Sequence, residues 1–93
     1  MSNQPTNQPP NQPKRVPIVL PELGVQWARM SVWFAEPGDI VYEGERLVEV
    51  AVGGATFDVS APATGRLAER FVLPPDEVKP RHVLGEIVTE PSA

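Results

Sequence analysis

The chain has 93 residues, 41% of them hydrophobic, which is enough for one small domain and too few for two. Cysteine is absent, so disulfides, thiolate metal sites and thiol catalysis are excluded, as suits a reducing cytosol. No apolar run reaches the roughly eighteen residues of a membrane-spanning helix, and no apolar stretch resembles a secretory leader; the expectation is a soluble cytoplasmic protein.

At the N-terminus Asn3-Gln4-Pro5, Asn7-Gln8-Pro9 and Asn11-Gln12-Pro13 recur every four residues with almost nothing apolar between them. Such a stretch cannot bury enough surface to offset its ordering entropy, so residues 1–15 are predicted to be a disordered tail or linker, with Lys14-Arg15 at its junction with the domain. A single domain is expected over residues 16–90, followed by a short tail at 91–93. That domain holds all twelve acids and six of the bases, a net of −6, which argues against a nucleic-acid groove.

Twelve prolines and seven glycines point to an all-β domain of short strands and many turns. Strands are predicted at 16–20, 28–35, 40–42, 46–52, 55–59, 65–72 and 84–89. Turn signals separate them at Glu36-Pro37-Gly38-Asp39, Glu43-Gly44-Glu45, Gly53-Gly54, Pro62-Ala63-Thr64-Gly65 and Pro74-Pro75-Asp76. No segment carries a sustained helical period.

The clearest local pattern is a hairpin around Gly53-Gly54, a dipeptide that supplies positive φ at both centres of a two-residue turn. Counting outward, Val52 faces Ala55, Ala51 faces Thr56, Val50 faces Phe57, Glu49 faces Asp58 and Val48 faces Val59. Alternation then places Val48, Val50, Val52, Ala55, Phe57 and Val59 on a core side. Glu49, Ala51, Thr56 and Asp58 fall on a water-facing side, where two carboxylates oppose each other.

An internal repeat spans most of the domain. Residues 30–50 align on 67–87 without a gap, an offset of 37. Met30 meets Leu67, Phe34 meets Phe71, Pro37 meets Pro74, Asp39 meets Asp76, Val41 meets Val78, Leu47 meets Leu84, Glu49 meets Glu86 and Val50 meets Ile87. Two copies fit a two-fold sandwich better than a solenoid, which needs three or more units. The second copy has Pro75 for Gly38 and Arg81 for Gly44, so the backbone conformations of those glycines are not expected to be copied.

Four fragments in order resemble the biotinyl/lipoyl carrier family, and the resemblance covers about residues 16–89. They are Pro21-Glu22-Leu23-Gly24; Trp33-Phe34-Ala35-Glu36-Pro37-Gly38-Asp39-Ile40-Val41, similar to W-x-V-K-x-G-D-x-V; Gly44-Glu45-Arg46-Leu47-Val48-Glu49-Val50, similar to G-D-x-L-x-E-I; and Ala61-Pro62-Ala63-Thr64-Gly65-Arg66-Leu67, similar to A-P-x-x-G-x-L. The resemblance implies a flattened barrel-sandwich of two antiparallel sheets related by a pseudo two-fold axis. It also implies a modified lysine at the hairpin tip, in E-T-D-K-A of lipoyl domains or A-M-K-M of biotinyl domains. Here the equal-length stretch is Ala51-Val52-Gly53-Gly54-Ala55, with Gly54 at the lysine position, so neither lipoate nor biotin is expected as a cofactor.

Other chemistry-bearing residues offer little. Lys79, the one lysine of residues 16–90, aligns with Tyr42 in the repeat rather than with the tip, and is expected to be a solvated surface lysine. His82 is near Asp76 and Glu86 in sequence but has no second histidine or nucleophile to work with, and no catalytic residue is expected. Glu43, Glu45 and Glu49 lack the spacing of a calcium loop and read as a solvated acidic face; no metal site is expected. Pro74-Pro75 is expected to stiffen a turn, and Trp33 to join the core. Trp27, with Glu49 and Asp58, is the candidate contact surface for a protein partner. The function these expectations converge on is a non-catalytic carrier-like domain serving as a protein-binding or assembly module. The alternative is a degenerate carrier domain or accessory subunit of a 2-oxoacid dehydrogenase or biotin-dependent complex. A membrane-fusion adaptor, whose hairpin tip is interrupted by long helices, fits poorly with a tight Gly53-Gly54 turn.

Overall fold

A computed structural model describes residues 13–89 of the chain. Residues 1–12, which hold the Asn-Gln-Pro repeats up to Gln12, and residues 90–93 lie outside the described residues. Eight strands follow in order: β1 Lys14–Val19, β2 Ala28–Trp33, β3 Ile40–Val41, β4 Arg46–Val52, β5 Ala55–Ser60, β6 Gly65–Arg70, β7 Glu77–Val78 and β8 Val83–Thr89. They form two four-stranded antiparallel sheets, β1-β8-β6-β3 and β5-β4-β2-β7. Ile18, Leu20, Met30, Leu47, Val48, Val50, Leu67, Val78, Leu84 and Ile87 are fully enclosed between them. Each such aliphatic side chain removed from water contributes about 1.5–3 kcal/mol before entropy is counted. Among the described residues no charged or polar side chain is buried.

The repeat in the sequence is a repeat in space. Bulges break the ladder between Met30 and Val32 and again between Leu67 and Glu69, positions related by the offset of 37. The Phe34 N–H donates to the Leu47 carbonyl as the Phe71 N–H does to Leu84, each at 2.9 Å. Asp39 accepts the Glu36 N–H at 2.9 Å, and Asp76 the Leu73 N–H at 3.0 Å. Both aspartates hold turns by side-chain to backbone hydrogen bonds, which is why the repeat preserves them.

Several expectations change. Strand β1 begins at Lys14, because Lys14 and Arg15 pair with Thr89 and Val88. Strand β2 ends at Trp33 and β6 at Arg70, two residues short of the expected strands at 28–35 and 65–72. The turns that follow them start there. Strand β7 had no counterpart among the expected strands; its two residues repeat β3 under the same offset, but too short a run carries no period-2 signal.

Arg81 corrects the expectation that Gly44's conformation is not copied: φ is 89° at Gly44 and 71° at Arg81. The two N–H groups do the same job, Gly44 donating to Ala61 and Arg81 to Leu20. The fold imposes the conformation and the second copy accepts a left-handed arginine. Gly38, at φ 100°, is not copied by Pro75, whose ring forbids positive φ; the Pro74-Pro75 bond is cis.

Trp33 is half-buried against the core rather than enclosed in it. Its Nε1–H donates to the Val72 carbonyl at 2.8 Å, and its ring lies against Gly85 on the opposite sheet. Any Cβ at Gly85 would sit 3.0 Å from the indole and 2.5 Å from the Glu69 carbonyl oxygen. Arg70, the repeat mate of Trp33, lies 5.9 Å from that ring, so the two equivalent positions meet near the pseudo two-fold axis.

Candidate functional site

The β4–β5 hairpin has the register expected from its sequence: Val52 faces Ala55, Ala51 Thr56, Val50 Phe57, Glu49 Asp58 and Val48 Val59. The turn itself differs. Only Gly53 has positive φ, at 57°, whereas Gly54 stays outside the left-handed region. Positive φ at the first centre alone is the pattern of a II′ turn, which follows the twist of the strands as well as a I′ turn does. Nothing lies within 4 Å of where a Cβ would be on either glycine, so the tip projects into open space.

The core side of the hairpin fades toward that tip. Val48, Val50 and Val59 are buried and Val52 is half-buried, but Ala55 is exposed and Phe57 is 41% exposed. The correction has a geometric cause: β5 is the edge strand of its sheet, so Phe57 is exposed while Val50, its partner on the inner strand β4, is buried.

On the outer face the two carboxylates are each engaged. Glu49 is half-buried and accepts a hydrogen bond from the Ser31 hydroxyl at 3.0 Å. Asp58 lies 3.9 Å from the Arg46 guanidinium, which also stacks 4.1 Å from the centroid of the Phe34 ring. That exposed ion pair is worth at most about 1 kcal/mol, yet it offsets the like-charge opposition across the ladder. Ser31 and Arg46 were missed as members of this cluster. They sit on neighbouring strands, and only the pairing of β2 with β4 and the diagonal from Arg46 to Asp58 bring them in.

Trp27 stands apart from that acidic pair. It is 49% exposed and immediately precedes β2, at the end of the sheet where the hairpin turn also lies, since Arg29 pairs with Ala51. It lines an open groove of about 600 Å³ with Val25, Lys79 and Arg81, and the Arg29 guanidinium lies 5.7 Å from its ring. Lys79 is exposed at this groove, not on the hairpin.

His82 is exposed, and its supposed neighbours are committed elsewhere, Asp76 to the Leu73 N–H and Glu86 to Arg15 at 2.8 Å. Glu45 accepts the Tyr42 N–H at 3.1 Å, and Glu43 and Glu49 are not brought to it. Among the described residues no three metal-ligating side chains converge, and no helix is long and apolar enough to cross a membrane.

Residues 16–87 match the family described as biotin-requiring enzyme, the biotin/lipoyl attachment family. Among solved structures the chain is similar to the lipoyl domain of the 2-oxoglutarate dehydrogenase complex from Azotobacter vinelandii. The identity is 27%, the match covers 78% of this chain and 90% of that one, and the TM-score is 0.59. The comparison with curated proteins gives no match.

Proposed function

The chain belongs to the biotin/lipoyl attachment domain family, and on that premise we propose that it is a carrier-type domain with a vacant arm position, used as a protein-binding or assembly module. Carrier domains of this family are themselves non-catalytic and work within multienzyme complexes. The observation that carries the proposal is the hairpin tip: a closed two-residue turn of Gly53-Gly54, presented to solvent as an arm would be, with no side chain to acylate. Amide formation with lipoate or biotin needs a primary amine, and residues 51–55 contain none. Function follows the site rather than the fold, and here the site lacks its reacting group.

The contact surfaces of this module are two separate patches, Trp27 at its groove and the outer face of Glu49 and Asp58, and the chain before β1 serves as its tether in the cytoplasm. Intact-mass measurement after incubation with a lipoate ligase, and separately with a biotin ligase, tests the vacancy. The wild-type chain is expected to gain no mass, whereas Gly54→Lys is the variant in which a lipoyl gain marks position 54 as the arm site. A mass gain on the wild-type chain overturns the reading and directs attention to Lys79.

The similarity to a 2-oxoglutarate dehydrogenase lipoyl domain over nearly all of that domain favours a second reading, an accessory unit within such a complex. Co-purification from the native host separates the two, since dehydrogenase subunits in stoichiometric amount support the accessory unit and unrelated partners support the independent module.

A further inference from the structure

We propose that the chain associates with a second copy of itself through the free edge of β5, joining two β5-β4-β2-β7 sheets into one continuous antiparallel sheet. The inference concerns the hairpin's outer strand and does not depend on whether the arm position is vacant.

An unpaired strand edge presents a row of N–H and C=O groups that template further pairing, and folded proteins usually blunt such edges with proline or charge. The two long edge strands here are β1 and β5, which end the two sheets in equivalent positions. They are treated differently. Strand β1 carries Pro17 in its middle and Lys14-Arg15 at its start. Strand β5 reads Ala55-Thr56-Phe57-Asp58-Val59-Ser60, with no proline, one charge and every residue but Val59 exposed. Among the described residues β5 is thus the long edge without a block.

The choice of a second copy as occupant follows from the register. A two-residue turn closed by Val52 and Ala55 makes 52–55, 50–57 and 48–59 the hydrogen-bonded pairs of the hairpin. Ala55, Phe57 and Val59 therefore direct their backbone groups inward to β4, and Thr56, Asp58 and Ser60 direct theirs outward. Two β5 edges related by a two-fold axis normal to the sheet pair residues of the same face. The axis then passes through Phe57 or through Asp58. Centring on Asp58 would oppose two carboxylates and place the outward-directed pair on the axis. Centring on Phe57 opposes the two half-exposed rings in a non-hydrogen-bonded pair, where side chains approach closest, flanked by Thr56–Asp58 pairs that supply about four ladder hydrogen bonds. No like charges then face each other, each carboxylate lies opposite a threonine hydroxyl, and Phe57, left uncovered by its own barrel, is covered by its twin. This self-complementarity is what an isologous interface requires.

The chain has no cysteine, so cysteine cross-linking reads the register directly. In a non-hydrogen-bonded antiparallel pair the Cα atoms are about 4.5 Å apart, within the range of a disulfide. Under mild oxidation Phe57→Cys is expected to form a covalent dimer at least about tenfold faster than Tyr42→Cys, an exposed site outside β5. Sedimentation of the wild-type chain at rising concentration is expected to show a monomer–dimer equilibrium that Thr56→Pro abolishes. The substitution removes an outward N–H and no hairpin hydrogen bond, and its far-UV circular dichroism is expected to stay that of the wild type. A wild-type chain that remains monomeric at submillimolar concentration overturns the proposal, as does cross-linking no faster at 57 than at 42. A dimer that survives Thr56→Pro in the folded state places the interface elsewhere and also overturns it.

Discussion

Arg81 and Gly44 occupy equivalent corners with the same backbone duty, and only one of them is a residue suited to it. A side chain in the left-handed region costs about 1–2 kcal/mol, and the compensating Arg81–Glu22 contact at 3.3 Å lies on an exposed surface where such pairs contribute little. Arg81→Gly is therefore expected to raise stability by about 0.5–1 kcal/mol, and Gly44→Ala to lower it by about 1 kcal/mol, both read from urea midpoints. At the hairpin tip the difference between neighbours is equally local. Gly54→Lys is expected to leave stability within about 0.5 kcal/mol of wild type, because that position is neither left-handed nor crowded, whereas Gly53→Lys costs about 1 kcal/mol through its φ of 57°. Equal losses at the two positions in thermal melts would contradict the II′ assignment.

At the scale of elements, the contact that locks the two sheets is the crossing of Trp33 from β2 onto Gly85 of β8. The indole needs a residue without a side chain beneath it, and the Val72 carbonyl needs the indole N–H. Trp33→Phe is expected to cost about 1–2 kcal/mol for an unmet acceptor and a smaller ring, and Trp33→Ala about 3–5 kcal/mol. Gly65 makes a comparable demand within one sheet, since a Cβ there would collide with the Val88 carbonyl oxygen and press on Ile87. Gly65→Ala is expected to lose about 1–3 kcal/mol and to shift amide exchange along β6 and β8 more than in the β4–β5 hairpin. The same pairing logic explains the hairpin. Its register could be counted from Gly53-Gly54, but the exposure of Phe57 could not, because that depends on which of the two strands lies at the edge of the sheet.

For the molecule as a whole, duplication sets the architecture and its imperfections supply the individuality. Bulges, aspartate-held turns and corner hydrogen bonds recur at the offset of 37, while Trp33 against Arg70 and Gly38 against Pro75 do not match. The matched features are backbone requirements of the fold. The unmatched ones lie where two halves must fit each other, or where one half meets solvent, and there identical residues would clash or serve no purpose. The domain's acidic balance of −6 is carried on an outer surface with no buried charge among the described residues.

Local rules were sufficient for what depends on neighbours in the chain: the hairpin and its pairing, the turns held by Asp39 and Asp76, most strand positions, the two-fold repeat and the absence of an amine at the tip. Those features follow from alternation, turn chemistry and self-similarity, which act over a few residues or compare one stretch with another. The tertiary structure decided the rest. It brought Ser31 to Glu49 and Arg46 to Asp58, drew Lys14 and Arg15 into β1 through pairing with β8, made β7 a strand by laying it beside β2, and forced Arg81 into a conformation chosen by its partner Leu20. Each of these depends on which surfaces two distant segments bury against each other, and no local pattern encodes that choice.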